Sequence, residues 1–148
     1  MPASNNIKLL EESLQQAQEA ASHLRVSVQR CKSFVEVSPY NEEQLIELEA
    51  LTGRFARLSD ILIQKVLKTI ERLDRDSPGT VRDRILQAEK KGVIHSATTL
   101  LEIRDVRNTI AHDYENNAFP EIVLFAVKTS PALLRDVQTA AEYSKRFS

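Results

Sequence analysis

SNNIKLLEESLQQAQEAASHLRVSVQRCKSFVE, residues 4–36, decides the fold. Its apolar positions Ile7, Leu10, Leu14, Ala17, Ala21, Leu24, Val28, Cys31 and Val35 advance by three and four residues throughout. A strand would alternate with period two, whereas steps of three and four lay one apolar stripe along a helix. The stripe holds for about four heptads, longer than chance periodicity usually lasts. Ser4 stands where an N-cap would. So long a stripe has two outlets, a coiled-coil dimer or one long helix of a bundle. Later segments supply partner helices in the same chain, which favours the bundle.

Ser38-Pro39 breaks the first helix. Asn41 caps a second, with Gln44 three residues on completing a capping box. This helix runs to about Leu73 and buries Leu45, Leu48, Leu51, Phe55, Leu58, Leu62, Val66 and Ile70. Gly53, mid-helix, suggests a close approach of a neighbour. Asp76-Ser77-Pro78-Gly79 is a turn, Thr80 caps a short third helix, and Gly92 ends it as a left-handed C′ residue. Ser96 opens a fourth helix over about 97–116, stopped by Asn116-Asn117. Pro120 stands where the first helical position of a fifth helix toward Phe147 would be, and Pro131 kinks or restarts that helix. Three glycines and no tryptophan, against abundant Leu, Ala, Glu, Gln and Arg, suit helices. The expected fold is a single all-α domain over residues 1–148. It is an up-and-down bundle of about five helices, with two long antiparallel helices and shorter ones packed on them.

Composition narrows function. One cysteine excludes an internal disulfide framework and a cysteine-built zinc cluster. No metal and no cofactor are expected. No apolar run approaches the ~20 residues of a membrane span. The N-terminus lacks a basic start followed by an apolar stretch, so no signal peptide and a cytoplasmic location are expected. Twenty Lys+Arg against 21 Asp+Glu give a net charge of −1, which argues against broad electrostatic capture of nucleic acid. Any such contact must come from a local patch.

Of the three histidines, His23 reads as a surface or boundary residue and His95 as a loop residue. His112 has different company, in Arg104-Asp105-Val106-Arg107-Asn108-Thr109-Ile110-Ala111-His112-Asp113-Tyr114. On a helical wheel Leu100, Ile103, Val106 and Ile110 form the core side. Arg107 and Tyr114 sit at its edge, and His112 points away, flanked by Asp105 and Asn108. Leu101, apolar on that outer side, suits a second interface. A two-fold homodimer would bring two Arg/His sets to one groove. Imidazole, with an unperturbed pKa near ~6.5, can take a 2′-OH proton and return one to the leaving oxygen. Guanidinium can fork a phosphate and stabilise its developing charge. For an arbitrary chain, an Arg and a His five residues apart would mark no more than a solvated helix face.

The fuller string Arg107-Asn108-x-x-x-His112-x-Tyr114, late in an all-α chain, resembles the R-x4-6-H signature of the HEPN superfamily. With Asn after the Arg, and His-x-Tyr, it resembles the HepT toxin branch. Phe55-Ala56-Arg57-Leu58-Ser59-Asp60 and Ala88-Glu89-Lys90-Lys91-Gly92 agree, so the resemblance covers roughly residues 40–118. It implies a homodimeric, metal-independent RNase in a type VII-like toxin–antitoxin module. Arg107 and His112 would be catalytic, and Asn108 the polar residue that follows the arginine. The substrate would be an RNA, tRNA and mRNA being the obvious candidates. The partner would be a minimal nucleotidyltransferase (MNT) antitoxin that transfers AMP to the motif tyrosine, here Tyr114. Bulk and negative charge beside Arg107 would repel an incoming phosphate.

Two other readings stay open: a non-catalytic companion that binds a nucleotidyltransferase or nucleotide, and a purely structural helical dimer. Arg104, Arg84, Lys90 and Lys91 are candidates for contacts to RNA phosphates. Arg54, Arg57, Lys65, Lys68, Arg72 and Arg75 recur along the second helix as a phosphate track or, the favoured reading, as a solvated face paired with Asp60, Glu71 and Asp74. Cys31 reads as a small core hydrophobe. Ile122 to Val127, apolar all round, is buried or lies in an interface.

Overall fold

A computed structural model describes residues 2–112 and 118–148, with side chains described for 3–110 and 118–148. The elements are α1 (Pro2–Cys31), α2 (Glu42–Asp60), a π-helical turn (Ile61–Val66), α3 (Leu67–Leu73), α4 (Val81–Lys91), α5 (Ala97–His112), α6 (Phe119–Ser144) and a closing 3-10 turn (Lys145–Phe147). No strand occurs among the described residues. α2, the π turn and α3 form one continuous rod, so the bundle is built of five helical rods. No described helix is long and apolar enough to cross a membrane.

The first stripe is buried within its own chain. Leu10, Ala17, Ala21, Leu24, Cys31 and Val35 are all at most 3% exposed. α1 packs on the second rod and on α6. The pairings Arg30–Glu47, Arg54–Ser27 and Lys65–Gln16 descend along α1 as they climb the rod, so the two run antiparallel. The bundle outlet is therefore the one taken. α1 starts at Pro2, which places Ser4 inside the helix and not at its cap. It ends at Cys31, five residues early. Residues 32–36 relax into turns, held by Val35 N–H to the Cys31 carbonyl at 2.9 Å and by Tyr40 Oη to the Val35 carbonyl at 2.6 Å. Val35 stays buried, so the stripe outlasts the helix.

The caps fall where local chemistry puts them. Asn41 and Gln44 exchange both capping-box bonds at 2.9 Å, and Thr80 does the same with Asp83 at 3.1 and 3.0 Å. Gly92 takes φ +81, the left-handed turn that only glycine adopts without strain. Gly53 marks no close approach: it is exposed, and a Cβ there would meet nothing within 4 Å. α6 starts at Phe119, one residue before Pro120, and continues as helix through Pro131. The Asn116-Asn117 stop lies outside the described residues. Leu24, Leu48, Leu51, Phe55, Leu58 and Leu62 are at 0% exposure, each contributing about 1.5–3 kcal/mol relative to an exposed position. Phe55 meets Phe125 edge-on at 6.4 Å, joining the second rod to α6. Val123 to Val127 is buried or half-buried against the core, and Ile122 is half-buried.

α5 buries Leu100 and Ile103 completely and packs Val106 and Ile110 against the core, as the wheel requires. Leu101 is half-buried against the core of its own chain.

Candidate functional site

The second rod does not coil uniformly. At Ile61–Val66 it widens to a π turn, with the Leu67 N–H reaching back five residues to the Leu62 carbonyl. Such turns absorb one extra residue and recur at functional sites. In an ideal helix, Arg57 and Lys65, eight residues apart, would diverge by about 80°. The wider turn takes up the surplus, and both side chains line one cleft.

The cleft, about 530 Å³, lies between this turn and α5. Arg57, Lys65, Arg104 and Arg107 line it together with Asp60, Gln64 and Asn108. Among the described residues four cations thus face one carboxylate. The Arg107 guanidinium closes a two-pronged pair on Asp60, Nε to Oδ1 at 2.6 Å and Nη2 to Oδ2 at 2.7 Å. Hydrogen bonding to that carboxylate, then its charge, raises the Arg107 pKa against the opposing effect of burial. Two of its five N–H donors are taken, which leaves three for another ligand. Asp60 is still 42% exposed, so the pair sits at the rim of the cleft and not in the core.

Arg104, Arg107 and Asn108 are thus brought together. α5 is described as far as His112; that side chain and the whole of Tyr114 lie outside the described residues. Arg84 is placed elsewhere. Its side chain is 9% exposed, its Nε lies 3.6 Å from Glu71, and its Nη1 donates to the Ile63 carbonyl and to Gln64 Oε1 at 3.4 Å. It braces the π turn from behind. Lys91 donates to Asp74 at 2.8 Å and to Asp76, and Lys90 is exposed on the same end of α4. Neither lysine lines the cleft.

His23 is exposed, and its backbone carbonyl accepts from Arg54 at 3.1 Å. The His95 ring bonds Thr139 Oγ1 at 3.0 Å, and the His95 backbone N–H donates to buried Asp136, whose carboxyl burial pushes above its ordinary pKa. Cys31 is buried, and burial followed by the charge of Glu47 pushes its thiol up to about 11. It is an inert core residue. Among the described residues no three His, Cys, Asp or Glu side chains gather as a metal site would need.

Asp60 is the cleft residue that motif reading undervalued. Its place in the Phe55–Asp60 stretch and a pairing with the basic residues of its own helix are what the sequence suggests, whereas the structure gives it to Arg107, 47 positions away. No family model matches the chain, and no curated protein matches its sequence.

Proposed function

We infer that this chain is a metal-independent endoribonuclease of the HEPN, HepT-like kind, the toxin of a pair whose antitoxin is a minimal nucleotidyltransferase. The observation that carries this reading is the basic cleft in which Arg107, braced by Asp60, stands beside Arg104 and Asn108. An excess of fixed positive charge in a cleft suits a phosphodiester, whose charge grows as the phosphorus is attacked.

The residues would act as follows. An imidazole of His112 takes the 2′-OH proton. The 2′-oxygen bonds to the adjacent phosphorus, and the P–O5′ bond breaks. An imidazolium returns a proton to the departing 5′-oxygen. The products are a 2′,3′-cyclic phosphate and a 5′-hydroxyl. Acid and base are two groups, and a homodimer supplies two histidines. The free N–H donors of Arg107 hold the non-bridging oxygens, and Asn108 orients the imidazole from one turn away. AMP transferred from ATP to Tyr114, releasing pyrophosphate, would set negative charge near Arg107 and close the site.

The test is cleavage of RNA in EDTA. Wild type is expected to cut, with Arg107→Ala and His112→Ala each slower by about 10²-fold or more. Undiminished cleavage by His112→Ala overturns the mechanism. Incubation with the partner nucleotidyltransferase, ATP and Mg²⁺ should add the mass of AMP to wild type and not to Tyr114→Phe. One observation favours a second reading: the Arg107 fork is closed on Asp60, as in an ordinary pin between helices. A non-catalytic companion would bind its nucleotidyltransferase tightly while pure, unmodified protein cut no RNA.

A further inference from the structure

The cleft does not end at Arg107. Beyond the π turn a second depression, about 230 Å³, is lined by Gln64, Lys65, Lys68 and Arg72 from the rod and by Ser13 and Gln16 from α1. It shares Gln64 and Lys65 with the cleft. On the other side a third, about 240 Å³, is lined by Ala20, His23, Arg54 and Arg57, and shares Arg57. Three depressions thus adjoin along one side of the rod, with Arg107 near the middle. From Arg57 to Arg72 the rod rises about 20 Å. Among the described residues, Asp60, already held by Arg107, and Glu12 are the two carboxylates that line these depressions. Arg57, Lys65, Lys68, Arg72 and Arg104 make no ion pair among the described residues. Cations left unpaired in a row, beside neutral donors, are a solvated face only until a polyanion arrives.

We propose that this row is a track for one RNA strand, held through its phosphates on both sides of the phosphodiester at Arg107. The proposal rests on the ribonuclease reading and deepens it. It makes the substrate an internal stretch of single-stranded RNA, read without regard to base. Packed helix axes lie about 8–10 Å apart, so the depressions between them admit one strand and not a duplex. At ~3.4 Å per phosphate in a stacked strand, the row reaches about six phosphates, fewer if the strand is stretched. Among the described residues no Phe or Tyr lines it and His23 is the one ring available for stacking, so little base preference is expected from stacking platforms.

The test uses a labelled 2′-O-methyl oligouridylate, which cannot be cut by 2′-OH attack, and measures affinity against salt. Each phosphate contact of a single strand adds about 0.7 to the slope of log affinity on log salt, so Lys68→Gln with Arg72→Gln should lower that slope by about 1.4. Both side chains are outside the catalytic cleft and Arg72 is exposed, so the double variant is expected to fold. Lys128→Gln with Arg135→Gln, which removes the same charge from exposed positions of α6, should leave the slope as it was. An unchanged slope in the Lys68/Arg72 variant, or equal loss in the α6 control, overturns the track. Equal affinity for a duplex overturns the single-strand assignment, and a tenfold preference for one homopolymer overturns reading through phosphates alone. Should the oligonucleotide fail at low salt while polyglutamate binds with the same variant dependence, the face belongs to an acidic protein and the RNA track is wrong. Cleavage in EDTA is read separately, so the track and the ribonuclease reading fail independently.

Discussion

Arg107 and Lys91 are both cations that aspartates hold across a helix interface, yet their surroundings differ in kind. Lys91 meets Asp74 at 2.8 Å and also Asp76, while the Tyr143 hydroxyl donates to the same Asp74 oxygen at 2.6 Å. Arg146 lies 3.6 Å from the centroid of the Tyr143 ring. Two cations balance two carboxylates, and the cluster knots the ends of α3, α4 and α6 together. Among the described residues Arg107 has one carboxylate, three further cations around it, and an open cleft in front. An ion pair is therefore uninformative by itself. Whether the local charge closes decides between a clamp and a binding site, since only the unclosed centre has attraction left for a ligand.

Exchanging the two losses breaks or confirms that contrast most sharply. Arg107→Ala should slow RNA cleavage by about 10²–10³-fold. Its stability should change by only about 0–1 kcal/mol, the range of pairs open to solvent. Lys91→Ala should do the opposite: about 2 kcal/mol less stability, short of the loss for a fully buried pair because its side chain is 17% exposed, with cleavage retained below the melting range. Initial rates in EDTA and urea midpoints measure both. A stable, fully active Lys91→Ala, or an Arg107→Ala that unfolds, would erase the distinction.

The next effect is smaller and concerns what Asp60 does for Arg107. Asp60→Asn keeps the shape and removes the charge. If Asp60 aims the guanidinium, kcat should fall about tenfold, a misplacement cost. KM should not rise, because a negative charge has left a phosphate site. A faster enzyme would mean that Asp60 competes with the substrate for Arg107 and does not position it.

What the sequence could disclose follows from how far each signal travels along the chain. The α1 stripe, the Asn41/Gln44 and Thr80 caps and the Gly92 turn are written within a few residues of where they act, and the structure has them there. The Arg107–Asp60 pair joins residues 47 apart, and nothing local names the partner. Shorter but still non-local separations hid the roles of Arg84 and Lys91: neighbours in a basic run, they meet Glu71, Asp74 and Asp76 only once α4 folds back on the second rod. The π turn did leave a trace. Leu58, Leu62, Val66 and Ile70 are all buried at successive steps of four, and an ideal helix would rotate each by about 40° relative to the last. Steps of four sustained for three intervals require a turn that absorbs the drift. Ser4 and Gly53 misled because a cap residue and a glycine permit a helix start and a close approach without compelling either.

The smallest expected difference is in alkali, where the closed cluster should titrate and the open pair should not. Burial alone would lower the Lys91 pKa, but its hydrogen bonds to Asp74 and Asp76, then their charges, carry it above its ordinary 10.5. Burial, then the hydrogen bond to Asp74, pushes the Tyr143 phenol above 10.0. In both, the folded protein holds its proton more tightly than the unfolded chain. The stability from these groups is therefore complete below their ordinary values and lost as pH rises through the raised ones. Urea midpoints should fall above pH 10 in wild type, and fall less in Lys91→Met with Tyr143→Phe. Arg107, its pKa raised further by Asp60, keeps its charge across that range, so Arg107→Ala should leave the alkaline slope alone. An equal flattening by Arg107→Ala would mean that the two centres titrate as one network, and the contrast between clamp and site would have to be drawn elsewhere.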